Sequence, residues 1–162
     1  MSDGIGDFDF LNGEWRVRSR RLKERLVGSD EWLEFEGSMV NHSFFDGAGN
    51  WDEVSFPSEG FKGTSFRLLN RATGEWFIYW ANSLTGTIFT PTIGRFSGEG
   101  RERVGDFYGD DEEGGVPVRV HFTWSDITPT SAVWTQEFST DRGTTWERNW
   151  VMEVSRVEPA AR

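Results

Sequence analysis

The residues able to do chemistry are few. Cysteine is absent from the 162 residues, which excludes thiol nucleophiles, cysteine-ligated zinc and iron–sulfur clusters. Two histidines and two tyrosines remain beside the carboxylates. His42 follows Met39-Val40-Asn41 and precedes Phe44-Phe45, where an apolar strand would reach its rim. A histidine there is suited to proton transfer near neutral pH. Tyr108 would add a hydroxyl at a similar rim, so His42 and Tyr108 are the candidates for acid or base. His121 lies between Val120 and Phe122, and strict alternation sends it outward. Neither histidine has a His-x-x-x-His or His-x-His spacing, and a metal normally takes three or more ligands, so no metal site is assigned. The acidic run Asp110-Asp111-Glu112-Glu113-Gly114-Gly115 lacks the ordered ligand spacing of a calcium loop and reads as a solvated hairpin tip.

The aromatic residues point instead to binding. Nine tryptophans and fourteen phenylalanines are present. Phe66, Leu68, Ile78, Trp80, Phe122, Trp124, Trp134 and Phe138 are expected to converge inside one β-structure, with Tyr79 supplying a hydroxyl at its edge. Gln136 falls among aromatics on the same inward face, where its amide needs a partner: a ligand, a water or Arg148. Apolar walls with a few fixed polar groups are the usual make-up of a small-molecule pocket. The expected ligand contacts are therefore Phe66, Tyr79, Trp80, Phe122, Trp124, Trp134 and Gln136. A cavity filled by its own side chains is the competing expectation.

These residues lie on strands. Helical periodicity is almost absent, and short alternating segments are punctuated by glycine, asparagine, aspartate and proline. Strands are expected at 14–25, 32–41, 51–56, 62–69, 75–82, 87–96 (interrupted at Pro91), 105–110, 116–124, 131–139 and 145–156. One-sided patterning is plain in Val118, Val120, Phe122 and Trp124 against Arg119, His121 and Thr123. The fold class is all-β: an antiparallel up-and-down β-barrel of about 8–10 strands, with a two-sheet sandwich as the alternative. One domain over residues 1–157 is expected, with a frayed tail at 158–162. Arg16, Arg18 and Arg20 should share the outer face of the first strand, answered by Glu34 and Glu36. A formal net charge of −10 opposes binding to nucleic acid. No signal segment or membrane span is read from the sequence, which fits a cytoplasmic protein.

Three motifs carry a resemblance. Ser139-Thr140-Asp141-Arg142-Gly143-Thr144-Thr145-Trp146 resembles the Asp-box hairpin, Ser-x-Asp-x-Gly-x-Thr-Trp, a structural signature. Gly13-Glu14-Trp15, leading into the first strand, resembles the Gly-x-Trp signature of the lipocalin or calycin superfamily. There the tryptophan plugs one barrel end and a late arginine packs across it; Arg148 is the expected counterpart here. Phe10-Leu11-Asn12-Gly13-Glu14-Trp15, Gly74-Glu75-Trp76-x-Ile78-Tyr79-Trp80, Phe107-Tyr108-Gly109-Asp110-Asp111 and Asn149-Trp150-Val151-Met152-Glu153 together look like a bacterial family of lipocalin-like domains of unknown function. The resemblance implies the barrel and a small-molecule cavity, and it supplies no catalytic set. The expected function is binding of a hydrophobic or aromatic small molecule, with a cofactor-free cyclase or isomerase of bacterial secondary metabolism as its catalytic form. A non-catalytic carrier and a haem-binding barrel are the alternatives. No cofactor is expected, and the chain would be a monomer or homodimer.

Overall fold

The structure, a computed structural model, describes residues 3–157; the tail expected at 158–162 lies outside the described residues. Ten strands alternate in direction: β1 (Gly13–Leu22), β2 (Trp32–Phe44), β3 (Gly49–Phe56), β4 (Phe61–Asn70), β5 (Glu75–Asn82), β6 (Thr92–Ser97), β7 (Val104–Glu113), β8 (Val116–Ser125), β9 (Ser131–Ser139) and β10 (Glu147–Arg156). Each pairs with its neighbour in sequence, and β1 pairs with β10, so the sheet closes into an antiparallel up-and-down barrel of lipocalin-like architecture. Closure leaves no strand at an open edge of the sheet. No helix among the described residues is long and apolar enough to cross a membrane.

One end is plugged. The segment before β1 makes a short 3₁₀ turn at Asp9–Leu11 and packs Phe8 and Leu11 under the sheet with Trp15, Trp76 and Phe107. The Phe8 ring meets Trp76 edge-on at 4.9 Å and Phe96 at 5.0 Å. Trp15 is 1% exposed and donates its indole N–H to the Leu11 carbonyl at 2.7 Å. The Arg156 guanidinium lies 4.2 Å from the centre of the Trp15 ring and donates to the carbonyls of Asn12, Phe10 and Pro129. This corrects the expectation for Arg148, which is exposed. The register of β10 slips between Arg148 and Trp150, and this bulge turns Asn149 inward and Arg148 out. Arg156, facing Trp15 across the β1–β10 ladder, takes the place instead.

The opposite end carries the loops 23–31, 57–60, 83–91, 114–115 and 140–146. Here the wall is thinnest between β5 and β6. The sixth strand starts at Thr92, not at 87, because Pro91 has no N–H to give the ladder. Only Trp76, Phe77 and Ile78 pair with it, and beyond them an Ala81–Ile88 bridge and a Phe89 N–H to Trp80 carbonyl bond at 2.8 Å hold the loop to β5. The Asp-box hairpin forms as its sequence predicts. Asp141 accepts from the Thr145 amide at 2.8 Å and from the Thr145 and Ser139 hydroxyls, and Trp146 donates to the Gly143 carbonyl at 3.1 Å. Those donors hold the Asp141 carboxyl at about 2, below the 3.8 of an ordinary aspartate.

Candidate functional site

The barrel interior is not filled. A cavity of about 70 Å³ lies at mid-height, walled by Val54, Phe56, Ile78, Met152 and Val154 together with the indoles of Trp80, Trp124, Trp134 and Trp150. Trp134 meets Trp150 edge-on at 5.5 Å and Phe122 at 5.0 Å. Trp80 can lie against β4 because the residue beneath it is Gly63: a Cβ there would sit 1.9 Å from the indole. Towards the open end a second hollow, about 240 Å³, shares Ile78, Trp80, Phe122, Gln136 and Trp150 with the first, and continues past Asn82, Phe89 and Thr92 to the rim. The two hollows thus adjoin along these residues, with the small void as the deeper floor.

An ion pair is set into the apolar wall at that floor. Arg67 on β4 and Asp52 on β3 are each 3% exposed, and Arg67 Nη2 donates to Asp52 Oδ2 at 2.7 Å. Arg67 Nη1 donates to Asn50 Oδ1 at 2.8 Å. Asn50 and Asn41 exchange amide hydrogen bonds at 2.9 and 3.0 Å. The Ser65 amide donates to the other oxygen of Asp52 at 3.2 Å. The chain from Asn41 to Asp52 therefore spans β2, β3 and β4 and fixes both charges in place. The Arg67 guanidinium also sits 5.0 Å from the centre of the Phe8 ring, which couples it to the plug. Its Nε is buried without a partner.

The mouth is narrowed by a strap. The β1–β2 loop reaches over β10, β9 and β8: the Leu26 amide donates to both oxygens of Glu147 at 2.9 and 3.1 Å, and Arg25 pairs with Glu113 of β7 at 2.7 Å. The Leu26 side chain packs on Val118, Val120 and Phe138. Below the strap, Arg21 lies over the rings of Trp150 and Phe35, 5.1 and 5.4 Å from their centres. Burial lowers the pKa of the Arg21 guanidinium, and the neighbouring Arg25 adds to the shift against the opposing pull of Glu59 and Glu113. Arg16, Arg18 and Arg20 all face solvent, and Arg20 stands 3.7 Å from Glu34.

Of the residues expected to contact a ligand, Trp80, Phe122, Trp124, Trp134 and Gln136 all line the cavity. Gln136 finds its partner in Asn149, donating to Oδ1 at 2.9 Å; the bulge that expels Arg148 supplies it. Phe66 and Tyr79 do not line it. They face each other across β4 and β5 on the outside, where Phe66 is 41% exposed against Phe44. Reading the bulky Phe66 and Leu68 as inward put β4 in the wrong parity, and a shift of one residue exchanges its faces. Phe61, Ser65, Arg67 and Leu69 point in. The sequence did hold a signal, since Lys62 shares its parity with Phe66.

His42 and Tyr108 also stand outside. His42 is exposed and stacks on Trp51, with ring centres 5.7 Å apart. Tyr108, 38% exposed, stacks on His121 at 4.4 Å. His121 lies outward as alternation requires, between Asp106 at 2.7 Å and Glu137 at 3.3 Å. Burial raises the Tyr108 phenol pKa, and the charges of Asp106 and Glu137 push it further. Neither expected proton-transfer group reaches the cavity, because each sits on the outward parity of its strand. The ionisable side chains lining the deep cavity are Asp52 and Arg67.

No protein-family model matches this chain, and no curated protein matches it either. What it shares with lipocalin-like proteins is architecture.

Proposed function

We propose that this barrel takes up a small, mostly apolar molecule, aromatic by preference, through its open end and holds it across the deep cavity and the mouth, against Trp80 and Trp150, which line both. One observation carries the reading: the interior keeps an indole-lined cavity of about 70 Å³ that shares its upper wall with a 240 Å³ mouth. A barrel of this size either packs its interior with side chains or keeps room for one small ligand. The four indoles, which offer large rigid faces to another ring, favour the second. The closed up-and-down barrel, an architecture shared with lipocalin-like proteins, supports the same reading.

The proposal is one of binding. Cyclase or isomerase chemistry would ask for a free acid or base on the cavity wall, and the charged groups there are already paired with each other. A haem held by an axial histidine is disfavoured because both histidines face outward.

Saturation-transfer NMR with small aromatic probes tests the proposal. Acetophenone and α-methylstyrene are expected to bind saturably, and Val54→Phe, which fills the floor, is expected to abolish binding while the fold is retained. Absence of binding to the unaltered protein, or binding indifferent to Val54→Phe, overturns it.

A further inference from the structure

A second constellation of polar side chains lies on the outer wall of the barrel, away from the cavity. We propose that the outer face shared by β7 and β8 binds one divalent transition metal, zinc by preference, on His121 Nε2, Asp106 Oδ1 and Thr123 Oγ1. This stands apart from the binding reading above and neither needs it nor tests it.

Strand pairing brings the three donors together. Asp106 of β7 faces Thr123 of β8 in the ladder, and His121 lies on the same side of β8, beside Tyr108 of β7. His121 Nε2 is 2.7 Å from Asp106 Oδ1 and 3.1 Å from Thr123 Oγ1, and Thr123 Oγ1 is 3.5 Å from Asp106 Oδ1. A triangle of those sides leaves a point about 2.1 Å from all three corners, the length of a zinc bond to nitrogen or oxygen. The ion therefore fits without displacing a donor. The Asp106 side chain is 41% exposed, so water can complete the coordination shell from the solvent side. Spacing along the chain conceals the group, because Asp106 stands 15 residues from His121, on another strand.

The neighbours hold the imidazole ready. With a metal on Nε2 the ring carries its proton on Nδ1, which lies 3.3 Å from Glu137 Oε1 on β9. A carboxylate behind a ligating histidine fixes its tautomer and its orientation. Tyr108 stacks on the ring at 4.4 Å, 4° from parallel, and Trp146 meets it at 5.6 Å, so the imidazole is kept from turning away from Asp106. Burial first, and then the charges of Asp106 and Glu137, raise the pKa of the Tyr108 phenol, a sign of the negative field that a cation meets here.

The donor set selects the ion. An imidazole nitrogen suits zinc, copper and nickel, whereas calcium and magnesium take oxygen ligands. Among the described residues no three histidine or carboxylate side chains converge, so the threonine hydroxyl and water supply the remaining donors. Such a site is open and its ion exchangeable, unlike a closed structural zinc centre.

Zinc chloride titrated into chelator-treated protein, followed by calorimetry and by NMR of the imidazole signals, tests the proposal. The chain has only two histidines, so the signals separate cleanly. One zinc per chain is expected, with the His121 resonances shifting and those of His42 unmoved, and magnesium and calcium should shift neither. His121→Ala and Asp106→Asn are each expected to weaken zinc binding by more than about tenfold, and Glu137→Gln by about tenfold, the usual loss when the group behind a ligand is removed.

The proposal is overturned if the unaltered protein takes up no zinc, which would leave His121 and Asp106 as an ordinary cross-strand ion pair. It is overturned equally if His42 shifts in place of His121, if calcium shifts His121 as zinc does, or if Asp106→Asn binds zinc undiminished, since the ion would then have settled elsewhere, as on the acidic turn at 110–113. The NMR titration of the unaltered protein decides the matter even where a variant does not fold.

Discussion

Replacing Arg67 by methionine is the sharpest test of the interior as described. The substitution keeps most of the side-chain volume and removes the guanidinium, so Asp52 loses its donor at 2.7 Å and keeps only the Ser65 amide at 3.2 Å among the bonds to its carboxylate. Asn50 loses a charged donor as well. Removing one partner of a buried ion pair typically destabilises by about 3–5 kcal/mol, because the other charge stays buried without compensation. For a chain of this length each kcal/mol lowers Tm by about 2–4 °C, so Tm should fall by about 6–20 °C. The double variant Arg67→Met/Asp52→Leu removes both charges, and apolar replacements of buried pairs are often neutral or stabilising. It should regain most of the loss, to within about 1 kcal/mol of the unaltered protein. Urea unfolding followed by tryptophan fluorescence at pH 7 reads all three proteins. The reasoning is refuted if Arg67→Met unfolds at the unaltered midpoint, which would mean that water reaches Asp52 freely. It is refuted equally if the double variant is no more stable than the single one.

Arg156→Ala should destabilise by about 2–3 kcal/mol, since three backbone carbonyls and the face of Trp15 lose a charged donor. Arg148→Ala on the same strand should change stability by less than about 0.5 kcal/mol, and urea midpoints of the two variants check the contrast. Gly63→Ala would put a methyl 1.9 Å from the Trp80 indole, so the ring must swing, at a cost of about 1–3 kcal/mol. Weaker binding of acetophenone should accompany it, measured by titration. The Asp141 carboxyl is held at about 2 in the folded hairpin against an ordinary 3.8. A depressed carboxyl pKa contributes stability that is full above the unfolded value and is lost as pH falls towards the folded one. Unfolding midpoints between pH 5 and 2 should therefore fall more steeply for the unaltered protein than for Asp141→Asn.

The barrel was legible in the sequence because its strands alternate and its turns are marked. Val118 to Trp124 and the Asp-box hairpin are faithful to that pattern. The site was legible only where the inward residues are large and apolar. Trp80, Phe122, Trp124 and Trp134 follow the rule that bulk points in; β4 breaks it, burying Ser65 and Arg67 and exposing Phe66. A buried arginine looks like a surface residue until its carboxylate is known to be opposite, and Asp52 lies on another strand. The bulge at Asn149 escaped for a related reason, since one extra residue reassigns the faces of Arg148 and Asn149 without altering composition. His42 and Tyr108 were singled out for their chemistry, but the parity of a strand decides which side of the wall such a group occupies.

The pairing of β1 with β10 has a consequence for how the chain is made. Every other ladder joins strands consecutive in sequence, so nine strands can pair in turn as they emerge, while β1 waits with one edge open until the tenth arrives. An open edge is a template for a neighbouring chain, and charged side chains are a common defence. Arg16, Arg18 and Arg20 project from β1 throughout that interval. Changing all three to threonine should leave the finished barrel about as stable, since exposed substitutions are typically worth less than about 0.5 kcal/mol each. The yield of soluble protein on refolding should nevertheless drop. The arginine stripe would then act chiefly before the barrel has closed.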